Sequence, residues 1–312
     1  MTEQQHRSHP VPKETLARCS VRAERRADPM LGTAFPAARL LLVEQPGPWG
    51  RDGLLRSRFD PGVAREVVQR AERLGVRVLA IRRPGRPVGE RRRWAVADCR
   101  PGREQMVWGS FAEDAELLEL SLDRPPGVPL TDPAASVFLV CTHGSHDACC
   151  ALRGRPVAAA LAGLRPDRVW ECSHVGGDRF AANVLVLPSG LLYGTVHTTE
   201  ATDLVAATER GEVLAAPLRG KVGLSPESQA ALAHVQRQWA GTADGYRVLS
   251  SVRTGPASAR VRIEHRGVVP ARLLDVDVRW HRSEVHRLTC QMTSPATVLV
   301  YEPVGMVEVS AA

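Results

Sequence analysis

Lysine is nearly missing from this 312-residue chain: Lys13 and Lys221 are the only two, so almost all of its 41 basic residues are arginine. Aromatic residues make up only 4%, too few for the interleaved stacking platforms that bind single-stranded nucleic acid. No apolar run approaches the roughly 18 residues of a membrane-spanning helix. The best candidates, Leu40 to Val43 and Val184 to Leu187, have the length of buried strands. The opening MTEQQHRSHPVPKET holds no apolar stretch of the kind a secretion signal needs. A cytoplasmic protein without a membrane partner is therefore expected, with a loose terminus over residues 1–15. There is no G-x-S-x-G, P-loop or G-x-G-x-x-G motif, which removes the commonest sequence signatures of hydrolases, nucleotide enzymes and dinucleotide enzymes.

What remains is ordinary globular material, 44% hydrophobic and 24% charged, with a net charge of +7. The arginine excess accompanies much Ala, Gly and Pro and reads as compositional bias rather than selection for phosphate contacts. Its densest run, Arg82 to Arg93, is broken by Pro and Gly and is expected to be a solvated connector, so nucleic acid is not an expected partner.

The chain falls into three parts. Over residues 1–130, an apolar strand near 39–44 precedes a helix over 60–75, in which Val63, Val67, Val68, Ala71 and Leu74 recur at helical spacing. A strand at 76–81 follows, then short strands at 94–97 and 105–108 and an acidic helix over 113–122. Residues 123–133, with four prolines and a glycine, read as a linker. Residues 131–240 repeat the order: strand 136–140, helix 148–164 with Pro156 expected to kink or delay it, strand 168–171, a hairpin around Pro188-Ser189-Gly190, and helices over 198–210 and 225–240. Two related α/β domains are therefore expected. Beyond 241, alternating runs at 260–264, 274–278, 297–301 and 306–309 predict a small β-rich extension.

Seven cysteines in a chain without a secretion signal argue for metal or thiol chemistry rather than a disulfide scaffold. Cys141, Cys149, Cys150 and Cys172 lie within 32 residues, beside His143, His146 and His174. Cys141 ends a strand and Cys150 begins a helix, where unpaired backbone amides favour thiolates. Cys172 and His174 leave the next strand, and Gly176 and Gly177 remove side chains beside them. Three chemistries fit the spacing: an iron–sulfur centre, a tetrahedral zinc site drawn from Cys141, Cys149 or Cys150, Cys172 and His174, or thiol exchange. A fourth reading is that of buried cysteines without a metal.

Two segments, CTHGSHDACCALRGRPVAAAL at 141–161 and VWECSHVGGDRFAANVLVLPSGLLYGTV at 169–196, resemble the sucrase/ferredoxin-like family. DPMLGTAF at 28–35, VEQPGPWG at 43–50 and LRGKVGL at 218–224 share that resemblance. It implies a thioredoxin-like ferredoxin domain holding a [2Fe-2S] cluster, with electron transfer to an unidentified redox protein as its role. Zinc, or no metal in a purely structural protein of the same fold, is the alternative. Fungal members take two cysteines from the first motif and two histidines of H-x-x-x-H from the second. Carried over, the ligands are Cys141, Cys150 and His174, with Asp178 standing where the second histidine belongs. Asp178 or Cys172 then supplies the fourth bond. Cys149, His143, Gly176, Gly177 and Arg179 are expected around the centre, Arg179 as a partner of the cluster or of Asp178. Sucrose cleavage has no support: Glu44 and Asp52 flank PGPWG, but no aromatic platform for a sugar accompanies them.

Overall fold

In a computed structural model the described residues are 18–85, 89–239 and 241–309; the N-terminal stretch 1–15 lies outside them. After a short helix α1 (Cys19–Arg25), the chain enters β1 (Arg39–Glu44), α2 (Pro61–Arg73), β2 (Val76–Arg82), β3 (Arg92–Asp98) and β4 (Gln105–Phe111). Asp60 caps α2: its carboxylate accepts the amides of Gly62 and Val63, each at 2.8 Å, and Pro61 occupies the first turn, where its missing amide costs nothing. The second half holds β5 (Val137–Cys141), α3 (Ala148–Leu164), β6 (Val169–Cys172), β7 (Val184–Leu187), β8 (Leu191–Tyr193), α4 (Ala201–Glu209) and β9 (Leu218–Lys221). Pro156 lies on the exposed side of α3 and does not end it, since water is at hand there for the carbonyl it frees.

The two halves share one topology. β1 pairs parallel with β2 and antiparallel with β3, as β5 does with β6 and β7. The orders β2-β1-β3-β4 and β6-β5-β7-β8 correspond strand for strand. They form a single nine-stranded sheet, β4-β3-β1-β2-β6-β5-β7-β8-β9, joined where β2 meets β6 antiparallel through Ile81 opposite Cys172 and Arg82 opposite Glu171.

That sheet is curled, and its two far ends approach each other. Lys221 of β9 pairs with Glu104 at the start of β4, and Trp108 of β4 stacks on Trp170 of β6 at 5.4 Å. The curl explains why β1 reads RLLLVE without alternation. Leu40 and Leu42 face an interior shared with Leu139, Trp170 and Leu185, whereas Leu41 and Val43 face α2. On the other half, Phe138 and Val140 pack outward beneath α3 and α4. Helix α5 (Pro226–Gln238) then covers a separate antiparallel sheet of β10 (Tyr246–Gly255), β11 (Ser258–His265), β12 (Arg272–His286) and β13 (Pro295–Val309). The runs at 297–301 and 306–309 are thus one long strand.

Two local expectations fail for identifiable reasons. The acidic stretch 113–122 makes only one 3-10 turn, Asp114–Leu118, because Arg70 takes the carbonyls of Leu117 and Leu120 at 2.9 and 2.7 Å. The solvated-connector reading fails at the flanks of the arginine-rich run and holds for its described middle, where Gly85, Gly89, Glu90 and Arg91 are exposed. Arg82 lies over Trp49, Arg83 over Trp170, Arg92 over Phe111 and Arg93 over Trp108, at 3.7–4.7 Å from the ring centres. Guanidinium stems spread on aromatic faces are packing elements; residues 86–88 of the run lie outside the described residues.

Candidate metal centre

β5 and β6 are parallel neighbours that end level, with Cys141 opposite Cys172, so the loops that follow them emerge side by side. The first loop returns through Asp147, whose side chain caps α3 by accepting the Cys149 amide at 2.8 Å, and this sets Cys150 in the helix's first turn. The second passes His174 and turns at Gly176 and Gly177, both at positive φ (+83° and +74°), which admits glycine most easily. It then places Asp178 against Cys150.

The contacts are close. Cys150 Sγ lies 3.2 Å from Asp178 Oδ1, and His174 Nδ1 lies 3.2 Å from the same oxygen. Donor atoms of Cys141, Cys150 and His174 all stand within 4.8 Å of one another, as do those of His146, His174 and Asp178. His174 Nδ1 is buried and makes no hydrogen bond of good geometry, although Asp178 Oδ1 stands 3.2 Å away, so it is poised to bind a further group. His146 stacks on His174 with ring centres 3.6 Å apart.

Charge inside this group is strongly redistributed. The hydrogen bond from Cys150, with further help from His174, pulls the Cys141 thiol well below its ordinary range. That bond to Cys141, together with burial, pushes Cys150 up, and burial raises Asp178. Beneath them runs Arg219, only 2% exposed. It donates to the Gly176 carbonyl (2.9 Å), to Asn183 Oδ1 (2.7 Å) and to the Thr33 hydroxyl and carbonyl (3.0 and 2.6 Å). Burial lowers its pKa to about 9, so at neutral pH it stays a cation beside an anionic donor set. Nothing in the local sequence marks Arg219 as part of the site, which lies some forty residues upstream.

The remaining expected residues divide. His143 braces the site: Nδ1 accepts the His174 amide at 3.2 Å and Nε2 reaches the Gly50 carbonyl at 2.6 Å, while burial lowers its pKa. Cys172 points into the shared interior and belongs to none of the tight donor groups among the described residues; burial there raises its pKa. Arg179 does not reach Asp178; its Nε lies 3.4 Å from Asp28 Oδ2, and its guanidinium stacks on Phe180. Cys149 turns away from its neighbour Cys150 toward Cys19 and Cys290, with Sγ distances of 3.5 and 3.3 Å. Those two cysteines, 130 and 141 residues distant in sequence, carry no local signal that would bring them there. Hydrogen bonding from Cys19 draws the Cys149 thiol down to about 6.

A cleft of about 700 Å³ between the halves opens onto His143, His146 and His174 and is lined on its other side by Arg51, Asp52 and Arg77. Arg77 also donates to the His174 carbonyl at 2.8 Å. Of the two acids that flank PGPWG, Asp52 lines this cleft, whereas the Glu44 carboxylate accepts the Arg93 amide at 2.8 Å.

A family model described as sucrase/ferredoxin-like matches residues 30–220, which span both halves of the sheet and every donor just described except Cys19 and Cys290. The chain belongs to the sucrase/ferredoxin-like family. No curated protein and no solved structure matches it. Within this family member, Cys/His/Asp groups able to hold a metal stand at the ends of β5 and β6, and no helix among the described residues is long and apolar enough to cross a membrane.

Proposed function

We propose that this sucrase/ferredoxin-like protein is an electron-transfer module whose [2Fe-2S] centre is held by Cys141 and Cys150 on one side and His174 and Asp178 on the other. One observation carries the reading: donors from two separate loops, Cys141 and Cys150 on one and His174 and Asp178 on the other, converge in a largely buried place. Thiolates, imidazole and carboxylate are a mixed but workable set for ferric iron, and mixed Cys/His ligation is known in [2Fe-2S] proteins. Asp178 rather than Cys172 is the fourth donor, because its oxygen already touches both Cys150 and His174.

Such a centre accepts and releases one electron. The surrounding chain provides its setting. Arg219 offsets the negative charge from below, His143 fixes the loop that carries His174, and the stacked rings of His146 and His174 face the cleft. An unidentified redox protein that reaches these rings is the proposed partner.

A second reading, a single four-coordinate zinc ion on the same residues, is favoured by the 3.2 Å contact between Cys150 Sγ and Asp178 Oδ1. Two bridged irons would stand between the pairs, whereas one ion lets them touch. Iron, acid-labile sulfide and zinc analysis of anaerobically purified protein decides between them. Two irons and two sulfides per chain are expected, with visible absorption that Cys141→Ser and Asp178→Ala abolish and Cys172→Ser leaves in place. Zinc without sulfide selects the second reading, and loss of the absorption in Cys172→Ser but not in Asp178→Ala overturns the ligand assignment.

A further inference from the structure

Three cysteines that no local motif connects meet in space. Cys19 begins α1, Cys149 lies in the first turn of α3, and Cys290 sits in the connection between β12 and β13. Their sulfurs form a triangle with edges of 3.5, 3.3 and 3.6 Å. The Asp147 carboxylate closes the group, with Oδ1 3.9 Å from Cys19 Sγ, and the side chain is 1% exposed. We propose that Cys19, Cys149, Cys290 and Asp147 are a second metal site, built for a structural zinc ion.

The geometry is that of a tetrahedral shell. Zinc–thiolate bonds of about 2.3 Å place two sulfurs on one ion roughly 3.8 Å apart, close to all three edges of the triangle. A disulfide would select one pair and leave the third thiol out, whereas here the edges are nearly equal. Three thiolates with one carboxylate suit a borderline-soft ion such as zinc better than a hard cation. The carboxylate is also aimed before any ion arrives: Oδ1 accepts the Cys149 amide at 2.8 Å and Oδ2 the Cys290 amide at 2.6 Å, so two of the thiol-bearing residues orient the fourth donor. Zinc entering as Zn²⁺ would release the thiol protons to solvent, with no change of oxidation state.

This assignment explains the vicinal pair Cys149-Cys150. Successive positions on a helix point about 100° apart, and the two thiols serve different centres, Cys150 the site with Asp178 and Cys149 the site with Cys290. It also gives the C-terminal sheet a task. The tip of its long ribbon is held against the loops of the main sheet by Cys290, by the Arg51–Gln291 hydrogen bond at 3.0 Å and by Gln291 on the His146 carbonyl at 3.4 Å. An ion there would clamp α1, α3 and that tip together.

Metal analysis of the full-length protein tests the proposal independently of what the first centre holds. One zinc equivalent should disappear in Cys290→Ser and in Cys19→Ser while the metal of the Cys141 site is kept. Cys99→Ser, which touches neither group, should lose none. Chelator-treated wild-type protein titrated with Co²⁺ alone should develop the intense sulfur-to-cobalt absorption of a tetrahedral thiolate site, and Cys141→Ser should retain it. The cobalt experiment on wild type keeps the test valid should a serine variant fail to fold. Unchanged zinc in Cys290→Ser, no thiolate–cobalt band, or a disulfide between two of the three cysteines in protein purified under reducing conditions would each overturn the site.

Discussion

The guanidinium of Arg219 occupies the space a side chain at Gly177 would need: a Cβ built on Gly177 stands 2.5 Å from Nη2 and 2.7 Å from Cζ. The second donor loop and its buried counter-charge are therefore packed against each other through a glycine. Gly177→Ala should cost about 1–3 kcal/mol, from a positive φ that alanine tolerates poorly and from displacing an arginine with four fixed hydrogen bonds. Denaturant unfolding measures the loss. A smaller metal content at native conditions should accompany it, and full stability with full metal would contradict the packing argument.

Asp178 stands where the family resemblance implies a second histidine, and for the proposed [2Fe-2S] centre that difference is testable electrically. A carboxylate donates more charge to ferric iron than a neutral imidazole does and so favours the oxidised state. Asp178→His should therefore raise the reduction potential while keeping the cluster, as followed by spectroelectrochemical titration. A lower potential would count against Asp178 as a ligand.

Much of this was readable in the sequence, and what was missed has a common cause. Cys141, Cys150 and His174 were legible because strand ends and a helix start put them near one another over short stretches of chain. Asp178 was visible only as a departure from a pattern. Arg219, Cys19 and Cys290 were not legible at all: their partners lie in other elements, and only the curl of the sheet and the length of the β12–β13 ribbon bring them in. The duplicated strand order could be read from the alternation of elements, but the fusion of both copies into one sheet could not, because edge-to-edge pairing of β2 with β6 leaves no periodic trace.

Acid should weaken the outer edge of the second half through Glu209. Hydrogen bonds from Arg165 and Arg168 draw its carboxyl from an ordinary 4.5 down to about 2, and the Arg165 contact is 2.6 Å. Because the folded state favours the ionised form, this contribution is complete above pH 4.5 and drains away as pH falls toward 2. It is modest, as the pair is open to solvent and screened by salt. Glu209→Gln should melt slightly below wild type at neutral pH, and the two curves should converge in strong acid; a constant offset across that range would exclude the linkage.

Cys99 offers a contrast with the clustered thiols. It is fully buried, and burial pushes its pKa up to about 12, so the reactive thiolate is almost absent at neutral pH. Native protein treated with iodoacetamide should leave Cys99 unmodified, as read by peptide mass spectrometry, and urea should expose it. Rapid labelling in the folded protein would show that the sheet interior opens.

That interior is common property. Each repeated unit turns one side of its strands outward to its own helices and the other inward to its twin, so Leu40 and Leu42 find their neighbours across the junction in Leu139 and Leu185. Neither unit encloses this interior by itself. A fragment ending near residue 130 would show water the lining of half a barrel, and two such fragments would need each other before either had an inside.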